Sequence, residues 1–480
     1  MNKSGNLQKT IYQIAFWSLF YSFFLRRFWL STMIPCTETS LTISALLCLV
    51  CALPLAVCIL YDIYKSYKWE GFSRSGIICG AALLVLIILA GFGAISYELL
   101  FLALLVIGAR SFRTEEILNR YVISCTVCLV IPMILGVTGL ITNLIYSVEG
   151  MSRVAFGYIY PTDFCAHIFF FAMSCLFLKG NKIGIKEVLC LGLFGVFAFC
   201  ICRARNTALC LFLAMLLMCM YVCIRKYREK LLDSKPVKCL GVIAALVAPI
   251  LAAFMTLSSF FYDYKDSDSI LHKLDSLLSR RLLLGRLAFL LYSIKPFGQE
   301  LDTNGNGGTV DDYLIPDFVY PDLVNIAIVG AVAVFVVLLA LLLVKKSKIP
   351  LLIGISSVAI VLCFVLQKML STNIVVDESL MTFDERILNG MYFFLDCSYL
   401  NILFESGWVM LLLVLAVYVA VSFKQLSGKE WVRLLVLALV ALQCVFEHHL
   451  LDPAYCPFFL CLLTKNEECS AVGGVVQDEH

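Results

Sequence analysis

The chain has 480 residues, of which 61% are hydrophobic and only 15% charged, with a formal net charge of +3. A mean hydropathy of +0.93 excludes an ordinary water-soluble domain, so the thickness of a bilayer sets the architecture. No basic block with interleaved aromatics occurs in a polar segment, which argues against nucleic acid as a partner.

Runs of about 20 apolar residues mark membrane helices. In chain order they fall at 10–32, 41–61, 75–96, 98–110, 120–145, 162–178, 187–203, 206–224, 237–259, 323–344, 350–369, 400–422 and 431–447. The fourth is short, and an apolar piece at 456–463 is shorter still. The expectation is an all-α fold, a polytopic transmembrane helical bundle of about 12–14 spans, forming one integral membrane domain over 1–480. Most of the 22 cysteines are scattered through these runs and behave as small hydrophobes. The one CxxC, Cys125 and Cys128, lies inside an apolar run with no second pair, so no metal site is expected. The first apolar stretch lacks a small-residue cleavage site and runs into Arg26 and Arg27, so no cleavable signal peptide is expected.

Basic residues orient the spans. The groups Lys65, Lys68 and Arg74; Arg110, Arg113 and Arg120; Lys179, Lys182 and Lys186; Arg225, Lys226, Arg228 and Lys230; Lys345, Lys346 and Lys348; and Lys424, Lys429 and Arg433 all fall on one side. That side is expected to be the cytoplasm, with the N-terminus inside a multi-pass cell-membrane protein; only Arg26 and Arg27 break the pattern. The outer side then holds 146–161, the turn at Arg203–Arg205, a long loop at 260–322, a loop at 370–399 and the tail after Glu447. Loops of this length are uncommon unless they carry function.

On a helical wheel centred on Leu274, at about 100° per residue, Ile270, Leu271, Leu277, Leu278 and Leu282 share one face. Lys273, Ser276, Ser279 and Arg280 take the other, which predicts an amphipathic interfacial helix over 270–292. Arg281 lands inside the apolar face. It either snorkels to lipid phosphate or points into a protein cavity to meet an anion. Arg203 and Arg205 sit where one span ends and the next begins, either as interfacial anchors or as guanidinium forks for phosphate. In SRVAFGYIYPTDFCAH, Gly157 and Pro161 shape a turn, Asp163 is a cap or first-turn acid, and His167 follows one turn later. Asp396, ahead of Ser398 and Tyr399, either caps a helix or offers a carboxylate beside the arginines. In EHHLLDPAYCPFF, adjacent His448 and His449 point to different helix faces, so an interfacial polar cluster is expected rather than a metal site.

Arg153 with FGYIYPTDF, then RARNTALCLF, LLSRRLLLGRLAF with KPFGQ, LDCSYLNILFESGW and EHHLLDPAYCPF together resemble the O-antigen and capsule repeat-unit polymerases (Wzy-type), particularly those of Gram-positive capsule systems. In order and topology these segments cover much of the chain from 150 to 459. The resemblance implies a membrane glycosyltransferase acting on undecaprenyl-diphosphate-linked oligosaccharides, with no cofactor and no metal. It would work beside membrane lipid, a flippase and a chain-length regulator. The acceptor hydroxyl would attack the anomeric carbon and the lipid diphosphate would leave. Carried onto this chain, the arginines of that chemistry are Arg205 and Arg281; from the residues themselves, Asp396 or His449 is the expected base. Arg153, Arg203, Arg286, Asp163 and Tyr399 complete the expected substrate-binding set. The chain departs from the family pattern where 309–390 intervene before the DCSY segment, with an inserted pair of spans expected at 323–370. A ligase that passes finished glycan to another acceptor shares this topology. A flippase would instead need charge along a path through the membrane and halves related by repeat, and no internal repeat is visible.

Overall fold

A computed structural model describes residues 3–68, 97–148, 151–304, 373–377, 387 and 392–464. The spans expected at 75–96, 323–344 and 350–369, and with them the inserted pair, lie outside the described residues. The chain is mostly helical. Five helices are long and apolar enough to cross a membrane: Glu38–Asp62, Thr114–Val137, Pro161–Lys182, Arg205–Tyr227 and Trp408–Ser427. A sixth span results if Lys235–Ala245 and Val247–Phe260, bent by 52°, are counted together.

In order, the helices are α1 (Lys3–Leu30), α2 (Glu38–Lys68), α3 (Tyr97–Ala109), α4 (Thr114–Val137), α5 (Pro161–Lys179), α6 (Ile185–Cys200) and α7 (Arg205–Tyr227). Then come α8 (Lys235–Ala245), α9 (Val247–Phe260), α10 (Ile270–Leu277), α11 (Arg281–Leu291), α12 (Ser398–Asn401), α13 (Trp408–Ser427) and α14 (Trp431–Gln443). Their ends follow local chemistry. Glu115 and Glu116 open α4 and Pro161 opens α5, while Arg225 and Lys226 stand in the last turn of α7, where Arg225 donates to the Ile183 carbonyl at 2.7 Å. The span at α5 is central, with 83% of its apolar window buried, whereas that of α2 is 22% buried and faces outward. Stacked phenylalanines Phe20, Phe24 and Phe28 carry α1 into the same core.

Five expectations are corrected. The fold is not all-α: strands β1 (Asn143–Val148), β2 (Met151–Val154) and β3 (Asn373–Asp377) form a sheet in the order β2-β1-β3. β1 runs antiparallel to β2 and parallel to β3. The span expected at 120–145 therefore ends at Val137, and its polar-flanked remainder pairs as a strand. The single amphipathic helix over 270–292 is two helices, broken where Ser279 and Arg280 adopt left-handed φ of 52° and 65°. The span at 400–422 is interrupted by a π-helical turn, Ile402–Ser406, before α13. Finally, the tail after Glu447 does not remain at that end of the bundle. Tyr121 on α4 donates to the carbonyl of Tyr455, and Thr464 meets Thr114 at the first residue of α4, 2.5 Å between hydroxyls. Buried rings and thiols from Leu450 to Leu460 make the return favourable.

Among the described residues, the basic groups around Lys179, Arg225, Lys429 and Arg433 gather at one end. There Lys179 pairs with Glu187 at 3.4 Å, Lys429 with Asp233 at 2.7 Å and Arg433 with Glu115 at 3.0 Å. Arg26 and Arg27 sit near the opposite end of α1. Arg27 bridges Glu98 and Asp452, both at 2.6 Å, and Arg26 donates to Ser44 at 2.8 Å. Partly buried guanidinium groups are tolerated because carboxylates and hydroxyls meet them, which accounts for their exception to the orientation pattern.

The KPFGQ turn after α11 is clasped to the helix break at Gly407. Gln299 N–H donates to Glu405 O at 3.0 Å, and Trp408 and Val409 N–H donate to Lys295 and Pro296 carbonyls at 3.2 Å. Gly298 and Gly407 have φ of 78° and 92°. A Cβ on Gly298 would lie 1.9 Å from Glu405 O, so glycine is required by both backbone angle and space.

Candidate functional site

Two turns and one re-entering segment meet at the end opposite the basic clusters. The first turn joins α6 to α7. Arg203 takes a left-handed φ of 52° there, and its buried Nε has no hydrogen-bond partner. Arg205 is the first residue of α7, exposed, with no side-chain hydrogen bond or ion pair among the described residues. Arg153 stands on β2 opposite Tyr146 of β1, and its Nε donates to Cys202 O at 3.4 Å. These three arginines form a shelf with no carboxylate partner among the described residues. The free N–H groups at the start of α7 add to its positive potential.

The second turn joins α10 to α11, and a buried acid shapes it. Asp275 is fully buried, and its Oδ1 accepts from the backbone N–H groups of Leu282 at 2.8 Å and Leu283 at 3.1 Å. Arg280 pairs with the same carboxylate at 3.4 Å. Arg281 is thereby turned the other way. It pairs with Asp396 at 3.1 Å and donates to Phe446 O at 2.9 Å and Ser279 O at 2.8 Å, leaving its buried Nε without a partner. Burial opposes the Arg281 charge, but Asp396 and Glu447 outweigh it and hold the guanidinium charged.

The two turns are joined. Asn206 Nδ2 donates to Ser279 Oγ at 3.2 Å, and Gln443 at the end of α14 donates to Thr207 Oγ1 at 3.0 Å. Beyond α14, Ser398 Oγ donates to Glu447 O at 2.5 Å and accepts from Leu450 N–H at 3.2 Å, pinning the EHH segment. His449 Nε2 then lies 3.9 Å from Asp163 Oδ1 and 3.8 Å from Glu447 Oε2. The Tyr455 ring is sandwiched between His449 (3.5 Å between centroids) and His167 (3.7 Å). Burial, reinforced by Asp396 and Asp163 against Arg281, pushes the Glu447 carboxyl well above its ordinary range. Burial also lowers the His448 imidazole to about 4 and His449 further, so both rings are neutral at pH 7.

Among the described residues, eleven buried side-chain nitrogen or oxygen atoms lack a hydrogen-bond partner, and seven belong to His167, Arg203, Arg281, Gln443, His448 and His449. Orphaned polar atoms are rare in folded interiors. Seven of the eleven lie on the two turns, on the end of α14 and on the histidines around Tyr455. No group of three His, Cys, Asp or Glu among the described residues is arranged to hold a metal ion.

Of the expected site residues, Arg153, Arg203, Arg205, Arg281, Asp396, Asp163 and His449 are brought to this end. The neighbouring guanidinium groups part ways, Arg280 to Asp275 and Arg281 to Asp396. Asp396 does not cap α12, whose N-cap is Cys397 without a side-chain bond. Arg286 donates to Phe260 O at 2.7 Å, closing α9, and Tyr399 is fully buried with its hydroxyl on Ala441 O at 2.7 Å. Neither joins the cluster. His448 and His449 do not diverge on two helix faces; their ring centroids are 4.0 Å apart, in a segment with no α-helix. Sequence reasoning missed Glu447, Asp275, Asn206 and Tyr455 as parts of the site. The signal for Asp275 was one carboxylate inside an amphipathic stretch, seven and eight residues before the N–H groups it caps. No protein-family model, curated protein or solved structure matches the chain.

Proposed function

We propose that this chain is a glycosyltransferase that joins undecaprenyl-diphosphate-linked oligosaccharide units into a polymer at the outer face of the cell membrane. The observation that carries this reading is the set of unpartnered polar atoms lying between a shelf of free arginines and a hollow of carboxylates and neutral imidazoles. An acceptor hydroxyl attacks the anomeric carbon of the donor sugar; the bond from that carbon to the diphosphate oxygen breaks, and negative charge grows on the leaving diphosphate. Arg205 and Arg203, with no competing carboxylate, are free to meet that charge, and their forked donors suit phosphate oxygens. Arg281 stands beside them, shared with Asp396. The proton of the attacking hydroxyl passes to the Asp163–His449–Glu447 cluster, where burial raises the proton affinity of the Glu447 carboxyl and lowers that of His449. The family resemblance on RARNTALCLF and LLSRRLLLGRLAF points the same way.

One observation favours a second reading, movement of lipid-linked sugar across the membrane. Asp452, Arg27 and Glu98, at the same end of the bundle, extend the run of ionisable groups beyond Tyr455 and His167. Deleting the gene in its own host and sizing the lipid-linked glycan on the outer face separates the two. Single units accumulating outside are the result expected of a polymerase. Finished polymer held on its lipid identifies a ligase, and units retained inside identify a carrier; either overturns the polymerase reading.

A further inference from the structure

The arginine shelf and the hollow beside it have opposite chemistry. Arg153, Arg203 and Arg205 meet no carboxylate, whereas Asp163, Glu447 and Asp396 crowd together with Arg281 as the cation among them. A ligand lying across both is anionic at one end and rich in hydrogen-bond donors at the other. His449 refines the donor end. It is 3% exposed, neither ring nitrogen has a hydrogen-bond partner, and Nε2 faces Asp163 Oδ1 and Glu447 Oε2 at 3.9 and 3.8 Å.

His449 Nε2 with one oxygen each of Asp163 and Glu447 suits one kind of group, a cation that would hold the Glu447 carboxyl ionised against the burial that raises it. Two donors to the same small metal ion, each at about 2.1 Å, stand about 3 Å apart, closer than these atoms are. A nitrogen at about 2.8 Å from each of two atoms bridges separations near 4 Å without strain. A hydroxyl has one proton to give, so it satisfies one of the three acceptors. A primary ammonium has three, and its charge offsets the crowded carboxylates. Stacking against Tyr455 fixes the His449 ring, and Ser398 holds the Glu447 backbone, so the tripod is formed before a ligand arrives.

We infer that the hollow formed by Asp163, Glu447 and His449 binds a primary ammonium group on the ligand, so that the lipid-linked unit proposed above carries an unacetylated amino sugar. The inference rests on that reading for the sugar, but the tripod can be tested without it. With the full chain held in lipid nanodiscs, glucosamine, N-acetylglucosamine and glucose are titrated as probes, and inorganic pyrophosphate is titrated separately. Glucosamine is expected to bind about tenfold tighter than the other two sugars, the difference between charged and neutral hydrogen bonding. Glu447→Gln and Asp163→Asn should each reduce that preference while leaving pyrophosphate binding intact, a control that the variant protein is folded. Glucosamine binding no tighter than glucose in the unaltered protein, or no binding by any of the sugars, overturns the ammonium site. If pyrophosphate still binds and Arg205→Ala abolishes it, the shelf of the polymerase reading survives that failure. A clear glucosamine preference beside unaltered host glycan after gene deletion supports the tripod and removes the polymerase.

Discussion

The two ends of the bundle treat charge in opposite ways. At the basic end, the Lys429–Asp233 pair is more than half exposed, and Lys179–Glu187 (38% and 26%) and Arg433–Glu115 (25% and 32%) are partly open to water. At the other end Arg281 is 12% exposed and Asp452 6%, and their partners come from distant parts of the chain. An exposed pair adds little because water competes for both partners. A buried group left without its partner is costly, so the second end is one in which each charge depends on the others. What sets that end apart is incompleteness: its imidazoles and guanidinium groups still hold unused donors and acceptors. The difference separates charge that water and near neighbours satisfy from charge held in place by groups distant in the chain.

The sharpest way to break this comparison is to remove a buried cation. Arg27→Ala leaves Glu98 and Asp452 facing one another and should destabilise the protein by about 3 kcal/mol, read as a lower melting temperature in detergent. An unchanged melting temperature would place Arg27 with the exposed pairs. Next, Arg205→Ala and Arg281→Ala should each slow polymer formation by roughly two to three decades with little change in melting for Arg205, which is exposed and has no side-chain hydrogen bond or ion pair among the described residues. Wild-type polymer length in both variants would remove them from the chemistry. Asn206→Ala breaks the bond to Ser279 that joins the two turns and should cost about 1 kcal/mol in stability, with a larger fall in activity than in melting temperature.

A smaller effect comes from pH. The folded His448 imidazole titrates at about 4, below its ordinary 6.5, so the unfolded chain binds more protons between those values. Stability contributed by the neutral ring is present above pH 6.5 and falls as pH drops towards 4. His448→Gln should flatten that slope in a melting series. Smallest of all, Lys429→Ala at the exposed end should leave both melting and glycan length unchanged. A measurable loss there would blur the contrast between the two ends.

Helix positions were legible because apolar run length is a local property; α2, α5 and α7 start and stop within a few residues of the expected spans. The sheet was not, because β1 pairs with β3 more than two hundred residues away and a short strand after a span reads as more span. The wheel placed Arg281 correctly as an arginine that does not face water, but for a reason it could not contain. A continuous wheel assumes one helix, and two consecutive left-handed residues reset the phase. RNTAL announced a charged helix start, yet nothing local in it says that Asn206 reaches Ser279. Likewise Asp163, His449 and Glu447 are dispersed in sequence and meet only because the last described segment turns back into the core.

That return has a consequence for how the molecule is made. Arg27 is synthesised early, while its partner Asp452 lies 425 residues later in the chain. At about 5–20 residues per second a ribosome needs roughly 20–85 seconds to cover that distance. Throughout that interval α1 holds an arginine whose final carboxylate does not yet exist, with Glu98 as its earlier companion. The helices made first must therefore remain loosely packed, or be guarded by another protein, until the carboxyl-terminal segment enters between them. The Asp163–Glu447–His449 cluster assembles only after that segment has been made, so a chain cut before Glu447 should insert and yet lack it.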